Sequence, residues 1–142
     1  MELAAATGTA GVDWDLWAID GGLDITAGTS ANSRFTIRLV SQDSAGAAAP
    51  LSGFDPQRGY SWLIADTALG ITGFDAARFT LDSRGFANAT AGGSFSLAVS
   101  DGDLYLNFAP VPEPGTWALM LGGLAGLAGL ARRRAAVTPA GA

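Results

Sequence analysis

The sequence contains no cysteine, no histidine and no lysine. The lack of cysteine excludes disulfides and thiolate nucleophiles, and the lack of histidine excludes histidine-based catalytic triads and the usual zinc and iron sites. The lack of cysteine does not decide the cellular compartment, because a chain without thiols tolerates an oxidising environment. We therefore expect neither a metal nor a cofactor.

Acidic residues dominate the first 110 positions. Residues 1–110 contain twelve acidic residues and five arginines, which gives this part of the chain a net charge of −7. The other three of the eight basic residues are Arg132, Arg133 and Arg134. Because so acidic a surface repels phosphate backbones, nucleic acid is excluded as a partner.

The N-terminal segment lacks the parts of a secretory signal. Residues 1–10 contain neither a basic n-region nor a continuous apolar h-region. If the protein is exported, we expect its true beginning, with a signal peptide, to lie upstream of Met1. Residues 1–108 are then expected to be the C-terminal part of a longer, extracytoplasmic β-rich domain.

Hydrophobic residues alternate at period two along residues 1–108, which predicts an all-β fold. In residues 33–40, Phe35, Ile37 and Leu39 share one face of an extended strand, and Arg34, Thr36 and Arg38 share the other face. Glycine, aspartate and serine separate several short segments of this kind. The same pattern predicts strands in residues 14–19, 23–26, 60–65 and 78–81.

Residues 93–108 predict a β-hairpin. Asp101 and Gly102 form the dipeptide that favours a two-residue type I′ turn. The register set by this turn joins apolar residues to apolar residues on one face of the hairpin. Its three pairs are Val99 with Leu104, Leu97 with Leu106, and Phe95 with Phe108.

A short internal repeat bears on how the strands are arranged. The segment Ser-Gly-Phe-Asp-Pro-Gln-Arg at residues 52–58 returns as Thr-Gly-Phe-Asp-Ala-Ala-Arg at residues 72–78. A rung of about 20 residues is typical of a short β-solenoid, in which each coil buries its face against its neighbours. Two similar glycine turns in a β-sandwich also explain the repeat, so both architectures stay open.

The C-terminal part begins with a linker and an apolar run. Residues 109–115 contain three prolines and predict an extended linker. Residues 116–131 are uncharged and number 16, which as a helix gives about 24 Å against a hydrocarbon core of about 30 Å. We expect a transmembrane helix that spans the membrane only by recruiting its flanks, which suits temporary rather than permanent anchoring.

Arg132, Arg133 and Arg134 follow the apolar run directly and predict a stop-transfer signal. By the positive-inside rule, we expect residues 132–142 to be cytoplasmic and the acidic β domain to lie on the opposite side of the membrane. Gly122 and Gly126 have the spacing of a helix-packing pair, although the Gly-Leu-Ala repeats around them are equally consistent with low-complexity filler.

The order of these segments resembles a known sorting signal. Pro112, Glu113 and Pro114, followed by the apolar run and the arginines, closely resemble the PEP-CTERM sorting signal of exopolysaccharide-producing Gram-negative bacteria. The resemblance implies recognition by exosortase, a membrane-embedded cysteine protease of the inner membrane, with cleavage near the motif and transfer towards the cell surface. Glu113 is then the residue that the protease recognises, because the two prolines pre-order an extended backbone around it.

The β domain resembles, more loosely, the autotransporter-associated β-strand or passenger-like domains that often precede such tails. The likeness rests on residues 62–65, 70–82, 95–97 and 103–108. It implies a domain built from repeated β units.

The aspartates are the remaining candidates for metal binding or catalysis. Four aspartates lie within residues 13–24, as calcium ligands can, but no twelve-residue loop ending in glutamate is present. Asp55 and Asp75 take equivalent positions in the repeat, and nothing in the sequence positions them as the carboxylate pair that glycoside hydrolysis needs. Turns and solvated strand edges explain these residues better, and we expect no enzymatic activity.

Together these features predict a non-catalytic protein that is exported, sorted by exosortase and passed to the cell surface or the extracellular matrix. The alternative is a bitopic inner-membrane protein that stays anchored and whose β domain binds exopolysaccharide or another surface protein. A processed species that lacks the tail distinguishes the first function from the second.

Overall fold

The computed structural model describes residues 1–26 and 33–112 and, in the tail, Gly115, Leu119, Met120, residues 123–125 and Leu127. The chain divides into two compact units, Met1–Val111 and Pro112–Ala142. The first unit contains the β-strands of the described residues, and the prediction of a mostly β fold is confirmed. The five segments in which alternation predicted a strand each contain one, with ends shifted by a few residues.

The strands of the first unit are short, with none longer than eight residues among those described. Arg78, predicted as the start of a strand, instead ends a short 3-10 helix. In chain order the elements are β1 Glu2–Leu3, β2 Trp17–Ile19, β3 Leu23–Asp24, β4 Phe35–Ser41, β5 Tyr60–Thr67, β6 Ile71–Thr72, the 3-10 helix Ala76–Arg78, β7 Phe79–Gly85, β8 Ser94–Ser100 and β9 Asp103–Ala109.

Successive strands stack in parallel from one coil of the chain to the next. β1, β4 and β7 form one sheet, β3 and β6 form a second, and β2 and β5 are the parallel part of a third. Three consecutive strands therefore visit three sheets before the chain returns to the first sheet. Parallel stacking of this kind is a feature of β-solenoids. The antiparallel pair β8 and β9 completes the third sheet beside β5.

The length of a coil differs from the sequence prediction. Glu2 pairs with Val40, Phe35 with Phe79 and Leu23 with Ile71, so one coil takes 38 to 48 residues. The predicted rung of about 20 residues is wrong. The difference arises because each coil contains three strands with their turns. The two copies of the repeat are only 20 residues apart, so their spacing is shorter than one coil.

The two copies of the repeat are the same turn in two places. Gly53 and Gly73 both have positive φ, 71° and 68°. In each copy the aspartate side chain, of Asp55 or Asp75, accepts a hydrogen bond of 2.9 Å from the backbone N–H two residues later. The first copy leads into β5 and the second into β7, which belong to different sheets. The repeat therefore marks a turn that enters a strand.

The core of the first unit lies between its sheets. Trp62 on β5 and Leu106 on β9 are paired in the ladder and fully buried. Leu104, Leu106 and Phe108 alternate inward along β9, as period two requires. The indole N–H of Trp62 donates a hydrogen bond of 3.1 Å to the carbonyl of Ala6, which satisfies the one polar group of this ring.

The hairpin has the predicted register. Asp101 and Gly102 both have positive φ, 53° and 91°, which a type I′ turn requires. Ser100 pairs with Asp103 across the turn. The three predicted apolar pairs are confirmed: Val99 with Leu104, Leu97 with Leu106, and Phe95 with Phe108.

We expect Gly102→Val to destabilise the first unit by more than about 1 kcal/mol, because a β-branched residue at positive φ is strained. A Cβ at this position would also lie 3.2 Å from the Cα of Gly70, in the turn before β6. Thermal unfolding followed by circular dichroism measures the effect. Gly46→Val, at a φ of 80° with open space around its Cβ, is the control for the backbone strain alone and should cost less. Equal melting temperatures for Gly102→Val and the parent chain would contradict the turn.

Asp82 on β7 carries an ion-pair cluster. Its Oδ2 lies 2.7 Å from Nη2 of Arg84 and 3.7 Å from Nε of Arg38 on the neighbouring β4. Hydrogen bonds from the side chain and backbone of Arg84 hold the pKa of Asp82 well below its usual range, and Asp82 raises the pKa of Arg84. The stabilisation is therefore present above the usual carboxyl pKa and is lost as the pH falls through the depressed pKa.

Candidate functional site

The C-terminal segment leaves the first unit at a defined point. Ala109 is the last residue of β9 and pairs with Ser94, the first residue of β8. Pro110 follows, and since proline has no backbone N–H it ends the ladder there. A Cβ built on Gly59 would lie 3.9 Å from Cδ of Pro110, so the chain passes close to the residue that precedes β5.

The segment is accessible as soon as it leaves the sheet. Val111 is 49% exposed, and its Cγ2 would lie 3.4 Å from a Cβ on Gly92 in the turn before β8. Pro112 is exposed and belongs to no strand or helix. Two residues therefore separate the end of β9 from an exposed proline, which leaves the start of the linker open to another protein.

Of the predicted sorting and anchoring residues, the structure describes Pro112. Glu113 and Pro114, the packing pair Gly122 and Gly126, and Arg132, Arg133 and Arg134 lie outside the described residues. Their roles in recognition, packing and stop-transfer stay predictions.

The described residues of the predicted membrane segment are helical, apolar and exposed. Leu119 and Leu127 are 80% and 66% exposed, and Met120 and Leu124 are also exposed. Exposed large apolar side chains are typical of surfaces that contact other molecules, and the membrane role of this segment stays a prediction. Most of the predicted transmembrane helix at 116–131 lies outside the described residues. Among the described residues, no helix combines the length and the hydrophobicity that a membrane span requires.

The first unit also contains a cavity that the sequence did not predict. Its volume is about 390 Å³, and most of its lining is apolar, with contributions from all three sheets. Trp17 and Phe35 lie at the cavity and are 70% and 40% exposed. Asp24 and Arg38 are among its few charged residues. The exposure of Trp17 on the short strand β2 is unusual for an indole, but it is visible only in the folded structure and not in the sequence.

The aspartates serve mainly as acceptors for backbone N–H groups. The carboxylate of Asp13 accepts from Thr9, that of Asp15 from Glu2, and that of Asp103 from Thr67, over 2.7 to 2.8 Å. The repeat aspartates do the same within their turns. Among the described residues, no three aspartates or glutamates come together as metal ligands would.

Comparison with known proteins identifies one segment. Residues 110–135 match the family model of the PEP-CTERM protein-sorting motif. The match begins at Pro110, directly after the last residue of β9, and runs just beyond the last of the three arginines. No curated protein and no solved structure matches the chain. Residues 110–135 are a PEP-CTERM protein-sorting motif, which indicates that this chain is a sorted protein targeted to exosortase.

Proposed function

We propose that this chain is a non-catalytic β protein whose body is delivered to the cell surface or the extracellular matrix after exosortase processes its tail. The observation that carries the proposal is the sorting motif at residues 110–135, which starts where the compact unit Met1–Val111 ends. Cleavage near the motif would release a unit that retains its own core, because the buried cluster draws on residues 3–108.

The proposed roles of the tail segments are separable. The apolar run at 116–131 holds the chain in the inner membrane, and the arginines at 132–134 keep the C-terminus cytoplasmic. Five leucines contribute about −2.5 kcal/mol to insertion, and four glycines reduce that figure. Such weak anchoring suits a segment from which the protein is later released.

The proposed recognition element is Pro112, Glu113 and Pro114. Prolines on both sides favour an extended backbone, which lowers the entropy lost when a protease cleft binds it. The Glu113 carboxylate adds one charged group close to the membrane surface. The exposure of Val111 and Pro112 supports this role, since a protease must reach the chain before it can bind it.

We propose further that the body is a passenger-like domain. The parallel coils of β1–β3 and β4–β6 support this proposal, because they are the repeated β units that the resemblance implies.

A second candidate function is a permanently anchored protein whose β domain binds exopolysaccharide or another surface protein. The cavity of about 390 Å³ favours it. Trp17 presents an exposed ring there, and Asp24 and Arg38 offer an acceptor and donors. An aromatic surface with a few polar groups is a common way to hold a small ligand unit.

Cell fractionation tests the proposal against this alternative. The chain, preceded by an export signal, is expressed in an exosortase-containing host and in the same host without exosortase, and an antibody against the body detects it. We expect a species shortened by the tail at the cell surface or in the medium of the first host, and full-length protein in the inner membrane of the second. A chain ending at Val111 should leave the inner membrane in both hosts, which controls for export. Full-length inner-membrane protein in both hosts would favour the permanent anchor.

A further inference from the structure

The outer edge of β8 is an open sheet edge. In the third sheet the order of strands is β2, β5, β9 and β8, so β8 has a strand on one side only among the described residues. The 3-10 helix Ala76–Arg78 comes near β8 without pairing with it. Unpaired backbone N–H and C=O groups along such an edge are a template for another strand.

The register of the hairpin shows which backbone groups point outward. Ser100 and Asp103 flank the two-residue turn as a hydrogen-bonded pair, and hydrogen-bonded and non-hydrogen-bonded pairs then alternate along the ladder. The N–H and C=O groups of Phe95, Leu97 and Val99 therefore face away from β9. Three residues with outward-facing groups are enough for a ladder with a second strand.

The composition of β8 distinguishes it from the other strands at sheet edges. Its sequence, Ser-Phe-Ser-Leu-Ala-Val-Ser, has seven residues, no charge and no proline. β1, β2, β3 and β6 have only two or three residues each. β7 is as long as β8 but carries the Asp82 and Arg84 ion pair, and edge charges of this kind discourage pairing. Among the described residues, β8 is thus the long edge strand that has neither a charged residue nor a proline to discourage pairing.

The same composition favours a second copy of this chain as the occupant. From the geometry we infer that two copies pair antiparallel through β8, about a two-fold axis at Leu97. In this register Leu97 pairs with Leu97 of the other copy, and Phe95 pairs with Val99 of the other copy. Each of these pairs joins two residues whose backbone N–H and C=O groups face away from β9. On the other face, Ser96 lies opposite Ala98, and these small side chains let the two strands approach closely.

Charge selects the antiparallel direction. Asp101 lies in the turn at the end of β8, and the body has a net charge of −7. Antiparallel pairing about Leu97 holds the two Asp101 residues about 27 Å apart, since each lies four residues from the axis at about 3.4 Å per residue. Parallel pairing would place them side by side. Because the two acidic bodies still repel each other, added salt should strengthen the dimer.

Sedimentation of the full chain in detergent micelles tests the inference with a matched pair of variants. Ser96→Lys places a charge on the edge strand. Asn107→Lys, the control, places the same charge on the same face of β9, directly opposite Ser96 but between β8 and β5. We expect a concentration-dependent dimer whose Kd rises at least about tenfold in Ser96→Lys and changes little in Asn107→Lys. Equal melting temperatures establish that both variants are folded.

A variant of the tail separates this contact from packing between membrane helices. Gly122→Leu should leave the dimer intact if β8 is the interface. The inference is overturned if the parent chain is monomeric, if both lysine variants weaken the dimer equally, or if Gly122→Leu alone abolishes it.

Introduced cysteines can test the register between the β8 strands of two copies, because the chain has no cysteine of its own that could form other disulfides. A mixture of Ser96→Cys and Ala98→Cys should form a disulfide between the two variants on mild oxidation, since directly opposed residues of a non-hydrogen-bonded pair are about 4.5 Å apart at Cα. A disulfide that forms equally well within either variant alone would contradict pairing about Leu97.

Discussion

Glu113→Ala is expected to abolish processing and leave the full-length protein in the inner membrane. The substitution removes the one charged group of the predicted recognition segment, and it lies outside the apolar run at 116–131. Insertion and folding of the β body should therefore be unchanged. An immunoblot of fractions from an exosortase-containing host measures the ratio of full-length to shortened protein.

The chain offers a matched control for this prediction, because it contains one other glutamate. Glu2 lies on β1, is exposed, and is far from the sorting segment in sequence. Glu2→Ala removes the same charge and should be processed as the parent chain is. Normal processing of Glu113→Ala in the same host would remove the support for sorting through Pro-Glu-Pro, and the permanently anchored protein would then be the better proposal.

Trp62→Ala is expected to produce the largest loss of stability among single substitutions considered for the body, about 3–5 kcal/mol. Trp62 is fully buried, and its ring stacks on Tyr60 with centroids 5.4 Å apart. Truncation would leave a large cavity beside Leu106 and would also leave the Ala6 carbonyl without the indole donor. Since small domains are stable by only about 5–15 kcal/mol, the variant should be close to unfolding at 37 °C.

Trp17→Ala is the matched control for the loss of a tryptophan. Trp17 also lies on a strand of the third sheet but is 70% exposed. Its truncation removes little buried area, so the free energy of unfolding obtained from urea denaturation should change by less than about 1 kcal/mol. If the two variants lost similar stability, the assignment of Trp62 to the core would be wrong.

The hairpin and the sorting motif could both be predicted from the sequence because each is encoded locally. In the hairpin, a two-residue turn at Asp101 and Gly102 leaves one register that joins apolar side chains, and seven pairs follow from it. In the tail, the order of prolines, apolar run and arginines lies within 26 consecutive residues and matches the family model of the motif.

Period two also predicted the strand segments, since the alternation reflects burial: on β4, Ile37 and Leu39 are more buried than Thr36 and Arg38. The ends of the strands were less well predicted. Arg78 lies in a 3-10 helix because Asp75 caps that turn through a hydrogen bond to the Ala77 N–H, and a single alternation pattern does not contain this interaction.

The partners of the parallel strands were decided by the tertiary structure. Phe35 pairs with Phe79, which lies more than 40 residues further along the chain, and their rings pack with centroids 5.5 Å apart. Many other apolar residues of the chain could satisfy the same alternation, so no local pattern specifies this pair. The cavity beside Trp17 and the open edge of β8 have the same origin, because both are defined by which strands meet and which do not. The sequence alone determined the turn chemistry, the alternation and the sorting motif, since each acts over a few neighbouring residues. The length of a coil and the edges left unpaired depend on non-local packing, in which burial of side chains from distant segments selects one arrangement.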